Sequence, residues 1–358
     1  MPKAIYQFPR GFLWGTATAA HQVEGGNNNN NWSRWEETPG RIANGQRSGL
    51  ACDWWGGRWM DDLQRARDSG QNAHRLSIEW SRIQPEPDRW DDEALAKYVE
   101  IVRWMTNNGM TPMVTLHHFT DPVWLSDMGG WENDETPALF ARFTRRAVKA
   151  LKDYVKLWIT INEPNVYVVS GWVDGAFPPG KQDIKLAARV LVNLIIGHTA
   201  AYRVIHELQP EARVGIATNY RSLAPAHPGS PLDRLPLNFT NQIFNKAFND
   251  CLVTGKLNLA LKKISLPEAA GDAALLINPM DVDALAAAMD RLYHRLQERL
   301  GDAAVVGATD FRETTKLRPW WLGATPLVAF DLGEAGRALV RPSGTEPKLK
   351  IYVDRRIG

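Results

Sequence analysis

The run Leu157-Trp158-Ile159-Thr160-Ile161 is apolar and stops on Asn162, Glu163 and Pro164. A carboxyl group delivered from the end of a buried strand can protonate a leaving oxygen and later take a proton from water. Pro164 disfavours helical backbone at the residue before it, so the strand must end in a turn at Glu163. Asn162 can hydrogen-bond a hydroxyl. Gln22 and His118 add neutral donors and acceptors, and Trp124 adds an aromatic face. Together they offer the mixture that a polyhydroxylated ring with one apolar face requires. Arg75 lies inside a further apolar run, HRLSIEWSR. A buried guanidinium there calls for a carboxylate partner, either at a reaction centre or in a structural salt bridge.

Those residues need elements to position them. Residues 12–17, 73–80, 111–118, 155–162 and 212–219 are short apolar runs ending in polar residues, and they read as strands. Between them Leu95, Val99, Val102 and Met105 recur at helical spacing, with Gly109 where a C-terminal cap belongs. A second helix is expected with Thr136 as cap and Pro137 in the first turn. It presents Phe140, Phe143, Ala147 and Leu151 on one face and Arg145, Arg146, Lys149 and Lys152 on the other. Strands alternating with helices imply an α/β fold with parallel pairing through right-handed crossovers. Polar residues gathered at the strands' C-terminal ends, including Gln22, His117, His118, Asn162, Glu163 and Asn219, favour a barrel over an open doubly wound sheet. No G-x-G-x-x-G opens any helix, which lowers the dinucleotide-binding alternative. The run Asn27 to Asn31 reads as a solvated loop, with the rim of a sugar site as its sharper alternative.

A chain of 358 residues with 44% hydrophobic and 23% charged residues can bury a sizeable core. Its 42 basic and 40 acidic residues leave a formal charge of +2, which argues for neither nucleic acid nor an anionic membrane as partner. Cys52 and Cys251 lack metal-like spacing and are expected to be small buried thiols, and nothing calls for a cofactor or a metal ion. With no apolar leader and no stretch of eighteen consecutive apolar residues, a cytoplasmic location is expected. Thirteen of the 15 tryptophans precede residue 173, and between about Ala260 and Ala304 the chain turns Ala-rich and loses Trp. That shift marks a candidate boundary.

FLWGTATAAHQVEGG, RLSIEWSRIQP, VTLHHFTDPVWL, WITINEPN and GAFPPG, in this order and spacing, resemble the retaining β-glycosidases of glycoside hydrolase family 1 over about residues 6–259. The resemblance implies a (β/α)8 TIM barrel, Glu163 as acid/base, Gln22, His118 and Asn162 as glycone ligands, and Arg75 as support for a nucleophilic carboxylate. It also implies a β-glycoside or oligosaccharide as the small-molecule partner. A retaining mechanism places its second carboxylate about 5 Å from the first. In this family it stands in a Thr-Glu-Asn-Gly-like motif on a later strand, which the sequence does not contain. Five of eight strands are accounted for, and an oligomer could cover the open edges.

Residues 265–292 resemble the tail of a nucleotide-sugar glycosyltransferase and read as a strand, Ala274 to Ile277, then a packing helix capped by Asp281. PLVAFDLGEAGRALVRPSGTEPKLKIYVD resembles the C-terminal domain of phosphoglucomutases and phosphomannomutases. That resemblance makes Arg341, Ser343, Gly344 and Thr345 a phosphate-gripping loop. The expected organisation is thus a glycosidase portion over 1–259, a connector over 260–300 and a mutase-like α+β segment over 301–358. This chimeric pattern would be shared by a natural fusion, a rearranged reading frame and a recombinant. Two functions of different classes follow: a retaining β-glycosidase acting on β-glucosides or β-galactosides, and a non-catalytic carbohydrate- or phosphosugar-binding protein.

Overall fold

The structure is a computed structural model that describes residues 11–227, 229–259 and 263–266, together with the strand segments 299–300, 303–304, 307–310, 328–331, 337–342 and 349–354. The chain divides into two compact units, Leu13–Ile277 and Met1–Phe12 with Asn278–Gly358.

In the larger unit, β1 (Gly15–Ala17), β2 (Ala73–Ser77), β3 (Thr111–His117), β4 (Leu157–Asn162) and β5 (Arg213–Ala217) form one parallel sheet in the order β1-β2-β3-β4-β5. All five expected strands are present. Spatial order follows chain order without a reversal, which is how a barrel winds; a doubly wound sheet reverses at a switch point. The crossovers are helical. α1 (Ala20–Val23), α2 (Asn31–Glu37) and α3 (Trp59–Asp68) lead to β2, and α4 (Trp80–Ile83) and α5 (Asp92–Asn107) lead to β3. α6 (Val123–Asp127) and α7 (Thr136–Leu151) precede β4, and α8 (Pro164–Trp172) and α9 (Ile184–Leu208) precede β5. After β5 come α10 (Pro231–Thr240), α11 (Ala247–Thr254) and a hairpin of β6 (Lys256–Asn258) with β7 (Lys263–Ser265).

The helix spacings read from the sequence hold, with one displaced cap. In α5, Leu95, Val102 and Met105 are buried, and Gly109 follows the last turn at φ 75°, a left-handed conformation that glycine adopts without strain. In α7, Phe140, Phe143, Ala147 and Leu151 are fully buried, while Arg145 pairs with Glu207 and Arg146 with Asp92. The cap of α7 is Glu135 and not Thr136, whose hydroxyl turns back to donate to the Gly130 carbonyl at 2.6 Å. Trp80 stacks on Phe143 at 4.9 Å and lies 5.6 Å from Phe140, so the α7 face meets the aromatic residue that follows β2. α9 is long and apolar enough to span a membrane by length and composition, but its residues from Ala187 to Ile205 are largely buried against the rest of the unit. Gly197 lets it come close: a Cβ there would sit 2.7 Å from the Trp131 ring.

Two expectations fail. Cys52 is exposed, because it lies in the turn-rich loop after Gly49; only Cys251 is a buried thiol. The asparagine run is not the solvated loop expected. Asn27 donates to Glu79 and Ser81, Asn29 to the Pro85 carbonyl, and Asn30 caps α2 and also reaches Glu79. The run staples the loop after β1 to the loop after β2.

The second unit contributes β10 (Gly307–Asp310), β11 (Val328–Asp331), β12 (Arg337–Pro342) and β13 (Leu349–Asp354), an antiparallel sheet in that order. Two short strands, β8 (Arg299–Leu300) and β9 (Ala303–Ala304), pair separately. Arg341 lies on β12 opposite Lys350. Ser343, Gly344 and Thr345, and the expected strand 274–277 with its Asp281-capped helix, lie outside the described residues.

Beneath the stapled loops Glu24 and Glu79 are both buried, with one cation, Arg82, on Glu24 at 2.7 Å and Tyr98 donating to Glu24 at 2.6 Å. Burial, and then the neighbouring Glu79 charge, push the Glu24 carboxyl from 4.5 up to about 7 against the opposing pull of Arg82 and Tyr98. A folded pKa above the unfolded one stabilises fully below about 4.5 and is lost as pH rises through about 7. The change amounts to about 3 kcal/mol. Buried His74, held down to about 4, and His118, held down to about 3, act in the opposite sense over overlapping pH. The comparison with Glu24→Gln therefore isolates this carboxyl. Wild type is expected to lose stability relative to Glu24→Gln between pH 4.5 and 7 in urea titrations, and a pH-independent difference would refute the assignment.

Candidate functional site

Glu163 sits at the junction of β4 and α8 with φ 43° and ψ 59°, a left-handed conformation that is uncommon outside glycine and that clusters at functional sites. Between Ile159↔Gly215 and Asn162↔Ala217 the strand β4 advances three residues while β5 advances two, so β4 carries a one-residue bulge. Such a bulge re-aims the side chains beyond it. The Glu163 amide donates to the Ala217 carbonyl at 2.6 Å, and its own carbonyl accepts from Tyr167 in the first turn of α8. Among the described residues the one hydrogen-bond partner of the Glu163 carboxylate is Asn219, whose Nδ2 lies 3.1 Å from Oε1. Asn219 is held in turn through its carbonyl by Asn165 at 2.6 Å.

Asn162, Arg75 and Thr115 join three adjacent strands. Arg75 donates from Nε to Thr115 at 2.9 Å and from a terminal nitrogen to the Asn162 side-chain oxygen. His118 lies close enough to feel the Arg75 charge. Burial first, then Arg75 and His117, hold its imidazole neutral down to about pH 3. Its Nδ1 is enclosed without a hydrogen-bond partner, a polar atom left over by the protein. Asn162, Arg75 and His118 thus form one cluster, and Glu163 follows Asn162 directly at the C-terminal end of β4.

Gln22 lies on α1 with its side chain exposed, and no hydrogen bond ties it to that cluster. Trp124 commits its indole N–H to the Gln84 carbonyl at 2.9 Å and meets Trp80 edge-on, so only a ring face remains for a ligand. The structure adds an aromatic wall that sequence reasoning did not find. Phe119, at φ 71°, lies 5.2 Å from the His118 ring and 5.6 Å from Phe177, and Phe177 meets Trp32 at 5.0 Å. The Trp32 indole donates to the Phe119 carbonyl at 3.0 Å. The available signal was that all three stand inside or beside the motifs quoted above, but only the fold brings them together. The described residues hold no group of three or more His, Cys, Asp or Glu placed to bind a metal ion.

The loop after β3, which carries His118 and Phe119, has one anchor. Buried Asp121 accepts from Tyr167 at 2.6 Å and from Trp131 at 3.1 Å, and lies 3.1 Å from His117. Since Tyr167 belongs to α8, this carboxylate fixes the loop after β3 against the helix that starts at Glu163.

Over residues 5–298 the sequence matches the model of Glycosyl hydrolase family 1. The chain belongs to this family. The match runs past Leu259, where the recognisable motifs stop. A second match, to the phosphoglucomutase/phosphomannomutase C-terminal domain, covers residues 280–356 and overlaps the first over residues 280–298. The chain is 37% identical to β-glucosidase A of Thermotoga maritima over 228 residues, which are 62% of this chain and 51% of that protein. It is 33% identical to β-glucosidase A of Acetivibrio thermocellus over 289 residues, 76% of this chain and 63% of that one. Among solved structures, β-glucosidase from Thermotoga maritima in complex with glucoimidazole superposes with a TM-score of 0.69 at 33% identity, covering 75% of this chain and 62% of that one. The β-glycosidase from Pyrococcus horikoshii gives 0.68 at 36% identity, covering 73% and 59%. The family 1 chain described here thus spans between about half and somewhat under two thirds of these relatives, and its five-stranded sheet is part of a (β/α)8 barrel.

Removing the Tyr167 hydroxyl leaves buried Asp121 one donor short, and a hydrogen bond to a charged group contributes about 1.5–3 kcal/mol. Tyr167→Phe should lower unfolding free energy by that amount in denaturant titrations. An unchanged midpoint would show that Asp121 does not anchor the site.

Proposed function

We propose that this family 1 chain acts on β-glucosides or β-galactosides by the retaining mechanism, with Glu163 as acid/base. The observation that carries this reading is Glu163 itself. It stands in strained left-handed backbone at a barrel mouth, with an amide donor at 3.1 Å, and directly follows Asn162, which accepts from the Arg75 guanidinium that also acts on neutral His118. In the first step the Glu163 carboxyl gives its proton to the glycosidic oxygen while a second carboxylate attacks the anomeric carbon and the aglycone leaves. In the second step Glu163 takes a proton from water, whose oxygen displaces that carboxylate. Neutral His118, Asn162 and Gln22 would hydrogen-bond sugar hydroxyls, and Arg75 would hold the attacking carboxylate. His118 cannot exchange its role for a cation at neutral pH, which suits a ligand without charge. A cytoplasmic location is part of the same reading and rests on the sequence alone.

A second reading, sugar binding without turnover, is favoured by one observation: the sequence holds no Thr-Glu-Asn-Gly-like motif to supply the second carboxylate. Hydrolysis of an unactivated β-glucoside separates the two. General acid/base catalysis is worth about 10²–10⁴ in rate, so Glu163→Gln should lose that much. A Glu163→Gln variant that keeps the full rate would remove Glu163 from the chemistry, and glucoside binding by calorimetry with no product in wild type would establish the second reading.

A further inference from the structure

We propose that Asn219 is a positioning residue for Glu163, its side-chain amide holding the Glu163 carboxyl in one orientation through both protonation states. The benefit to catalysis rests on the glycosidase reading above; the hydrogen bonding does not.

The first observation is how firmly residue 219 is placed beyond the end of β5. Asn165, in the first turn of α8, donates from Nδ2 to the Asn219 carbonyl at 2.6 Å and to the Phe244 carbonyl at 2.9 Å. Both contacts are carbonyl oxygens, so the amide nitrogen must face them. Asn245, in the helical turn Asn241–Lys246, accepts from the Arg221 amide at 2.9 Å and donates to the Arg221 carbonyl at 2.8 Å. Thr218 donates to Asn249 of α11 at 3.2 Å. Asn165, Asn245 and Asn249 are all buried, so the segment leaving β5 is clamped from two sides by amides inside the fold.

The second observation is what the clamp leaves over. The Asn219 side chain takes no part in it, and its Nδ2 lies 3.1 Å from Glu163 Oε1. Asn165 follows Glu163 by two residues, so the turn that aims the carboxyl also places its partner. The ionisable groups on the surrounding elements are engaged elsewhere. Arg75 donates to Asn162 and Thr115, Tyr167 donates to Asp121, and Arg221 lies over the Phe244 ring at 4.4 Å; His118 carries no charge at neutral pH.

An amide suits a carboxyl that must give up a proton and take one back. It donates from Nδ2 to the carboxylate and, turned over at its last torsion, accepts from the carboxylic acid through Oδ1. That turn leaves the backbone clamp untouched. The two bonds differ in strength, since a hydrogen bond to a charged group is roughly twice as strong as a neutral one. Removing the amide should therefore move the Glu163 titration to higher pH, and a carboxylate in its place should move it further by like-charge repulsion.

The test is carbon NMR of the full chain labelled at the glutamate carboxyl carbons, with Glu163→Gln identifying the resonance. The Glu163 titration is expected to rise by roughly one pH unit in Asn219→Leu and by more in Asn219→Asp. Asn219→Asp is nearly isosteric and keeps the test open if Asn219→Leu does not fold. On an unactivated β-glucoside, kcat should fall roughly tenfold in Asn219→Leu, with KM within about threefold of wild type. A titration that both variants leave in place overturns the inference. So does, in an active protein, an unchanged kcat, with or without the raised KM that would make Asn219 a sugar ligand. A titration that moves as expected in a protein that hydrolyses no β-glucoside upholds the positioning and sinks the glycosidase reading instead.

Discussion

The hydrogen bond from the Glu163 amide to the Ala217 carbonyl decides where β4 ends and what its last residues present. It forms across a bulge, so the ladder with β5 continues one residue out of step. The backbone then has to turn through a left-handed conformation before Pro164 can open α8. A non-glycine residue held there costs of order 1–3 kcal/mol, which the buried strand and helix on either side offset. The strand, the bulge and the helix thus aim one carboxyl group, and the neighbouring loops are fastened to them.

Those fastenings are polar and buried. Asp121 ties the loop after β3 to α8, Asn27 and Asn30 tie the loop after β1 to Glu79, and Asn165 holds Asn219 under the Glu163 carboxylate. In a low-dielectric interior each such bond is strong and each unmade one is costly, so loops that would otherwise be mobile are held in single arrangements. His118 gains its character from the same setting. Burial beside the Arg75 guanidinium keeps its ring uncharged, and its enclosed Nδ1 is a polar atom that the fold does not satisfy.

The arc also explains why the fold is legible at a distance from its site. A parallel sheet wound in chain order keeps the curvature of its family over the five strands described, which accounts for TM-scores near 0.7 against relatives that are longer. The barrel mouth, by contrast, is shared by every strand of the sheet, so what gathers there depends on the tertiary fold.

The five strands, the buried faces of α5 and α7, and the position of Glu163 at the end of β4 were legible in the sequence alone. Apolar periodicity and strand-end polarity are local signals that burial must obey. The sequence was silent or misleading wherever the outcome depended on what came to lie opposite. Asn27 to Asn31 looked solvated because five amides carry no periodic signal, and only the loop after β2 makes them structural staples. Cys52 looked buried because thiols usually are, and its loop left it exposed. Thr136 lost its place as the α7 cap to a hydrogen bond with Gly130, and Trp32, Phe119 and Phe177 became one wall only when three separate loops met. Periodicity reports which face of an element is buried; the partner on that face is chosen by the tertiary fold.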